Sequence, residues 1–238
     1  MSKVYGFTNE NLSSYKDLYS FDNARVLSVL GSGDQYFSSL LYGAKDVVLY
    51  DCNKDTLDPF LVKFEAFKKL TYEEFYRLFV ESHLQDENLL GKLNIPKNRS
   101  ISNNLLYSPL SDFPANYQSD RIIPYFNEEQ YHKLQSILQH INVPTIYFQG
   151  IEQLKHTFSA DSFDIMLVSN VFTWLSMSVA EFRVLLDSFP AKDIQAFYAW
   201  NPDFYLKEEF LENGFCINEV PGVSLVKNKK DLVVSLHK

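Results

Sequence analysis

Two glycines and two acids, in "VLGSGD" and "VLYDCN", carry the first chemical signal in the chain. Gly31, Ser32, Gly33 and Asp34 follow an apolar run, and Asp51 stands twenty positions after Gly31. A carboxylate at that separation from a glycine turn can accept hydrogen bonds from both hydroxyls of a ribose lying over the turn. Nicotinamide dinucleotides and S-adenosylmethionine both offer such a ribose. Asp34 separates them: a pyrophosphate at the start of the first helix would be repelled by a close carboxylate, whereas S-adenosylmethionine has no phosphate and bears a sulfonium and an ammonium. An acidic rim therefore favours S-adenosylmethionine. Asp34 can also be read as an ordinary helix N-cap, and "GSGDQ" is not the full GxGxxG pattern.

The elements that must hold these residues follow from hydrophobic period. "RVLSVL" is a short apolar run without helical spacing, and "QYFSSLLYGA" sets Tyr36, Phe37, Leu40 and Leu41 on one helical face, with Gly43 as its end. "KDVVLYD" repeats the strand and "KDTLDPFLVKFEAFKKL" the helix. Strand, helix, strand, helix is the order of a parallel sheet with right-handed crossovers. "YEEFYRLF" then prolongs or restarts a helix. Residues 80–125 are rich in Asn, Ser, Asp and Pro, and read as an insertion in one domain spanning 1–238. Pro96, Pro109, Pro114 and Pro124 exclude a continuous helix through it. Beyond it come a helix, "NEEQYHKLQSILQH", with Asn127 as N-cap, the strand "PTIYFQG", the short helix "IEQLKHTF" and the strand "DSFDIMLVSNVF". The helix "SVAEFRVLLDSF", the strand "IQAFYAW" and a closing helix, strand, loop and strand complete the order.

Composition narrows the function classes. At 238 residues and 46% hydrophobic, the chain can build a sizeable core, which 20 Phe and 15 Tyr are expected to fill. A formal charge of −8 without a basic block argues against a nucleic-acid partner. Cys52 and Cys216 belong to no CxxC pair and read as buried thiols of a reducing compartment. His83, His132, His140, His156 and His237 show no ligand spacing, so no structural metal is expected. The first residues lack a basic region followed by an apolar run, and no stretch of about 18 apolar residues occurs. The expectation is a cytoplasmic protein without integral membrane association.

The later half adds a resemblance. "TIYFQGIEQLKHTFSADSFDIMLVSNVFTWLS" resembles the second half of class I S-adenosylmethionine-dependent methyltransferases in its element order, and "FLENGFCINEVPGVSLVKNKKDLVVSLH" resembles their final helix and antiparallel strand pair. The resemblance implies a Rossmann-like three-layer α/β sandwich. Its sheet would be mostly parallel, with seven strands of which one is antiparallel, and the helical or irregular insertion would lie between the second and third. Read together, Ser32-Gly33-Asp34, Asp51-Cys52-Asn53, Leu70 to Phe75 and Ser169-Asn170-Val171-Phe172 are similar to the family of S-adenosylmethionine:diacylglycerol 3-amino-3-carboxypropyl transferases and its short relatives. Leu30, Ser32 and Asp34 fall where the usual methyltransferase turn has glycines, and the chain is shorter than the lipid enzymes.

Together these readings assign S-adenosylmethionine to Gly31, Ser32, Gly33, Asp34, Asp51 and Asn53, with Gln149, Gly150 and Ile151 flanking the adenine. Ser169 and Asn170 end the fourth strand, where such folds face the reacting centre, and are the catalytic candidates; Asn170 also borders the cofactor, or else caps the following turn. "SNVF" lacks the Pro-Pro of exocyclic-amine methyltransferases. Tyr5, Asn11 and Tyr15 could close over the methionine end, or simply pack a leading helix, and Tyr107, Tyr117, Tyr125 and Arg121 could meet the acceptor. The expected activity is transfer of a 3-amino-3-carboxypropyl or methyl group to a small-molecule or lipid-like acceptor. The competing readings are a non-catalytic S-adenosylmethionine- or nucleotide-binding sensor or partner subunit, and an NAD-dependent oxidoreductase.

Overall fold

Buried on both faces, a parallel strand reads as an unbroken apolar run, and "RVLSV" and "DVVLY" become β1 (Arg25–Val29) and β2 (Asp46–Tyr50). They pair in parallel from Arg25 with Asp46 to Val29 with Tyr50, which brings the residues after both strands to one edge of the sheet. The computed structural model describes residues 6–8, 10–81, 86–94, 123–158, 162–199, 203–220 and 230–238. With β3 (Ile146–Tyr147), β4 (Phe163–Leu167), β5 (Ala191–Ala199), β6 (Cys216–Glu219) and β7 (Leu232–His237), the sheet order is β3-β2-β1-β4-β5-β7-β6. β7 runs antiparallel to both of its neighbours, and the remaining pairings are parallel. This is the seven-stranded α/β sandwich with one reversed strand that the sequence implied. Chain order reverses between β1 and β4, where open α/β sheets leave a crevice at the carboxyl ends of their strands.

Helices cover both faces. On one side α2 (Asp34–Leu41), α3 (Leu57–Lys69), α4 (Tyr72–Tyr76) and α6 (Glu128–Gln139) share a core with the segment around α1 (Tyr15–Leu18). Aromatic rings fill this core, as expected: Phe67 lies with ring centroids 4.7 Å from Phe75, 5.0 Å from Tyr125 and 5.2 Å from Tyr131. On the other side α7 (Ile151–Leu154), α8 (Val179–Asp187) and α9 (Lys207–Glu212) pack over Leu27, Val48, Met166 and Ile194.

Several boundaries depart from the sequence reading. "DSFDIMLVSNVF" is not one strand: β4 ends at Leu167, because Ser169 takes a left-handed backbone (φ 58°) and Val171–Trp174 turns into 3-10 helix. The helix restarts as α4 behind a Thr71–Glu74 capping box, and within residues 80–125 α5 spans Glu87–Lys92 behind the N-cap Asp86. Tyr5, Tyr107, Tyr117 and Arg121 lie outside the described residues. Asn127 caps α6 as expected, its side chain accepting from Gln130 N at 3.2 Å. Cys52 and Cys216 are exposed, not buried; one follows the tip of β2 and the other sits on the edge strand β6. Among the described residues no cluster of His, Cys, Asp or Glu could hold a metal, and no helix is long and apolar enough to cross a membrane.

Candidate ligand site at the carboxyl edge of the sheet

The turn after β1 is shaped by two glycines for two reasons. Gly33 has φ 81°, and a Cβ there would stand 2.7 Å from Phe60 Cδ2, so it admits α3 against the turn. Gly31 has φ 46° but faces open space, with no atom within 4 Å of the place a Cβ would take. Its N–H donates to Asp51 Oδ2 at 3.1 Å, and Asn53 N donates to Asp51 Oδ1 at 2.9 Å. The Cys52 amide and the Thr56 side chain also act on this carboxylate, which therefore sits in a ring of donors beside an open glycine backbone. Burial pushes the Asp51 carboxyl above its usual range, against the lowering effect of these amides. Asp51 and Gly31, paired in sequence by spacing alone, are brought into contact.

Asp34 departs from both of its sequence readings. It is the first residue of α2, whose N-cap is Gly33, and its side chain caps nothing. Its carboxylate is buried and accepts from Lys63 Nζ at 2.5 Å, Ser32 Oγ at 2.8 Å, Thr8 N at 2.5 Å and the Tyr125 hydroxyl. Lys63, on α3, also donates to Gly6 O at 2.7 Å and Ser32 O at 2.9 Å and stands 4.4 Å from the centre of the Phe7 ring. Asp34 is therefore half of a buried ion pair that straps residues 6–8 over the turn, not a bare acidic rim. Ser32 and Tyr125 belong to the same knot; Tyr125 is a core residue rather than an acceptor contact.

The N-terminal strap delivers a residue the sequence reading passed over. Glu10 is wholly buried and accepts from Tyr15 OH at 2.6 Å, Gln35 Nε2 at 2.8 Å and the Ser169 hydroxyl. All three donors are neutral. Burial holds the Glu10 carboxyl above its usual range, hydrogen bonds pull it back, and Asp34 adds to the rise. No local signal in "FTNENLSSY" marks this acid, since Ser169 lies 159 positions away.

Ser169 and Asn170 are both fixed at the tip of β4. Gln195 Oε1, on β5, accepts from Ser169 N at 2.6 Å and Val168 N at 3.0 Å. Asn170 Oδ1 accepts from Tyr198 N at 3.2 Å, so its side chain ties β4 to β5 and does not cap the following turn. Tyr15, expected near the methionine end, bonds Glu10, and Asn11 N donates to Tyr198 OH at 2.9 Å. Because β1 lies between β2 and β4, Asp51, Gly31 and Ser169 occupy three neighbouring strand tips.

The other candidates are placed less directly. Asn53 Oδ1 accepts from Asp55 N at 3.0 Å and so caps the short turn Lys54–Thr56. Gln149 Oε1 accepts from Thr157 Oγ1 at 3.1 Å, and Gly150, the N-cap of α7, has open space where a Cβ would stand. Ile151 is 2% exposed inside the core beneath α7, which removes its side chain from the expected adenine contact. On the other side of Asn170, a cavity of about 620 Å³ opens between the 3-10 turn Val171–Trp174, the tip of β5 and the segment entering α9.

No family model and no curated protein matches the chain. Solved structures do. A ribosomal protein L11 methylase from Lactobacillus delbrueckii subsp. bulgaricus aligns at 11% identity over 95% of this chain and 77% of its own, with a TM-score of 0.45. A provisionally assigned RNA methyltransferase from Pyrococcus horikoshii aligns at 11% identity over 95% and 79%, with a TM-score of 0.41. A provisionally assigned S-adenosylmethionine dependent methyltransferase from Listeria monocytogenes aligns at 10% identity over 95% and 98%, with a TM-score of 0.42. Likenesses this loose transfer neither ligand nor acceptor, and the fold class rests on the chain's own sheet order.

Proposed function

We propose that the chain is a transferase that binds S-adenosylmethionine across the tips of β2, β1 and β4 and moves its 3-amino-3-carboxypropyl or methyl group to a small-molecule or lipid-like acceptor. The observation that carries this reading is the charge gathered there. Glu10, Asp34 and Asp51 are buried, and Lys63, the one buried cation among the described residues, is bound to Asp34. A pyrophosphate would add to that surplus of negative charge, while a sulfonium and an ammonium would relieve it. The acidic preference thus passes from Asp34 to Glu10.

In this reading Asp51 accepts the ribose hydroxyls, and the bare backbone of Gly31 is the floor under the sugar. Gln149 and Gly150 border the adenine, and Asn53 holds the loop that presents Asp51. Ser169 and Asn170 face the transferred carbon, held still by Glu10, Gln195 and Tyr198. Bound there, S-adenosylmethionine supplies a carbon already activated by its sulfonium. The protein's share is alignment and exclusion of water. The likeness of Ser32-Gly33-Asp34 and Ser169-Asn170-Val171-Phe172 to the aminocarboxypropyl transferases puts that group ahead of methyl.

Calorimetric titration with S-adenosylmethionine, S-adenosylhomocysteine, methylthioadenosine and NADH tests the reading. S-adenosylmethionine is expected to bind saturably and Asp51→Ala to weaken it roughly 10–100-fold, the loss of about 1.5–3 kcal/mol typical of hydrogen bonds to a charged group. A preference for methylthioadenosine over S-adenosylhomocysteine would favour aminocarboxypropyl transfer, and the reverse methyl transfer. Binding of NADH without any sulfur nucleoside would overturn the assignment.

A further inference from the structure

We propose that the cavity beside Asn170 receives the acceptor and selects an apolar small molecule whose polar end is neutral or cationic, excluding phosphorylated and other anionic molecules. Its role as acceptor site rests on the transfer reaction proposed above; its chemistry is read from its own walls. The volume, about 620 Å³, lies within the range of small-molecule pockets. Phe172, Leu175, Met177, Phe197, Phe204 and Leu206 are the large apolar side chains of the lining.

The polar groups of the wall are turned to the protein's own use. Ser178 Oγ bonds the Glu181 carboxylate within the N-terminal cap of α8, and Thr173 Oγ1 donates to Asn170 O at 2.7 Å. Tyr198 donates its N–H to Asn170 and its hydroxyl to Asp231 at 2.6 Å. Most of what remains facing the space is apolar. Among the described residues Glu209 is the one acidic side chain in the lining, and no described Lys, Arg or His lines the cavity. A phosphate or carboxylate would meet no counter-charge there and one like charge, whereas an alcohol or an ammonium would not.

Position and exposure agree with a site for a second molecule. The sheet order sets the Gly31–Asp51 pair on one side of the β4 tip and the cavity on the other, with Ser169 and Asn170 between them. Tyr205, in the wall, is 91% exposed, and Trp174, between the wall residues Thr173 and Leu175, is 80% exposed. Two large rings left in water beside an apolar cavity are the kind of surface that marks a binding site.

The test titrates the full chain with decanol, decylamine, decyl phosphate and 2-naphthol, each below its micelle or solubility limit, with S-adenosylmethionine titrated in parallel. Decanol or 2-naphthol should bind saturably, the stronger of the two telling chain from ring, and decylamine should bind at least tenfold more tightly than decyl phosphate. Phe204→Glu, and independently Leu175→Glu from the β4 side, should weaken decanol or 2-naphthol at least tenfold while S-adenosylmethionine binding stays within twofold. Val184→Glu, on a residue 71% exposed and outside the cavity, should leave both unchanged. Equal or tighter binding of decyl phosphate, indifference to both wall substitutions, or no binding of any apolar probe would overturn the proposal. If the apolar probes behave as expected but S-adenosylmethionine does not bind, the transfer reaction falls, and with it the acceptor role, while the selectivity of the cavity stands.

Discussion

Replacing Lys63 with Met keeps most of the side chain's apolar stem and removes its ammonium from the knot under the glycine turn. Asp34 would retain Ser32 Oγ, Thr8 N and Tyr125 but lose its counter-charge, and the carbonyls of Gly6 and Ser32 would lose their shared donor. Removing one partner of a buried pair costs about 3–5 kcal/mol, because the other charge stays buried without compensation. Against a total stability of about 5–15 kcal/mol this is a large share. With a urea dependence of about 3 kcal/mol per molar for a chain of this size, the midpoint should fall by about 1–1.7 M.

Burial already drives the Lys63 ammonium below the usual lysine range despite the help of Asp34. The pair is therefore of little net value against an uncharged pair. Adding Asp34→Asn to Lys63→Met should accordingly recover much of the loss, giving a coupling of about 2 kcal/mol or more in a double-mutant cycle. Urea unfolding followed by circular dichroism, with the slope m required to stay constant, measures all four corners. A Lys63→Met cost under about 1 kcal/mol, or costs that add within about 0.5 kcal/mol in the double variant, would refute the ion-pair knot.

Three further outcomes follow from the same geometry. The Glu10 carboxyl is raised above 4.5 in the fold, so its favourable contribution is complete below that pH and is lost as pH rises through the raised value. Glu10→Gln should gain stability relative to wild type between pH 4 and pH 8, and a urea-midpoint difference that stays flat with pH would rule this out. Gly33→Ala combines a left-handed backbone with a 2.7 Å approach to Phe60 and should cost about 2–5 kcal/mol. Gly31→Ala, left-handed but open, should cost about 1–2 kcal/mol; thermal unfolding that ranks the two the other way would deny the packing role of Gly33. Ser169→Ala removes a neutral donor to Glu10 and should therefore raise the Glu10 titration further, read as a shift to higher pH in the carboxyl signal of a selectively labelled Glu10.

The order of strands and helices was legible in the sequence because it is written in local periodicity: buried parallel strands are apolar runs, amphipathic helices repeat on one face, and Asn127 announces a helix start. The pairing of Asp51 with the Gly31 turn was legible too, since parallel register carries the ends of β1 and β2 to the same edge. Whether Asp34 is a bare acid or half of an ion pair depends on Lys63, 29 positions away, and Tyr125, 91 positions away. Glu10 reaches Ser169 only when the N-terminal segment is strapped over the β1 turn, and the tip of β4 is held by Gln195 of β5, whose side chain accepts from the amides of Val168 and Ser169. The exposure of Cys52 and Cys216 and the burial of Ile151 likewise depend on which elements cover them. Periodicity and turn chemistry act over a few residues and survive in the linear chain. The partner of a buried charge is chosen by packing between segments far apart in sequence, and that choice exists only in the folded protein.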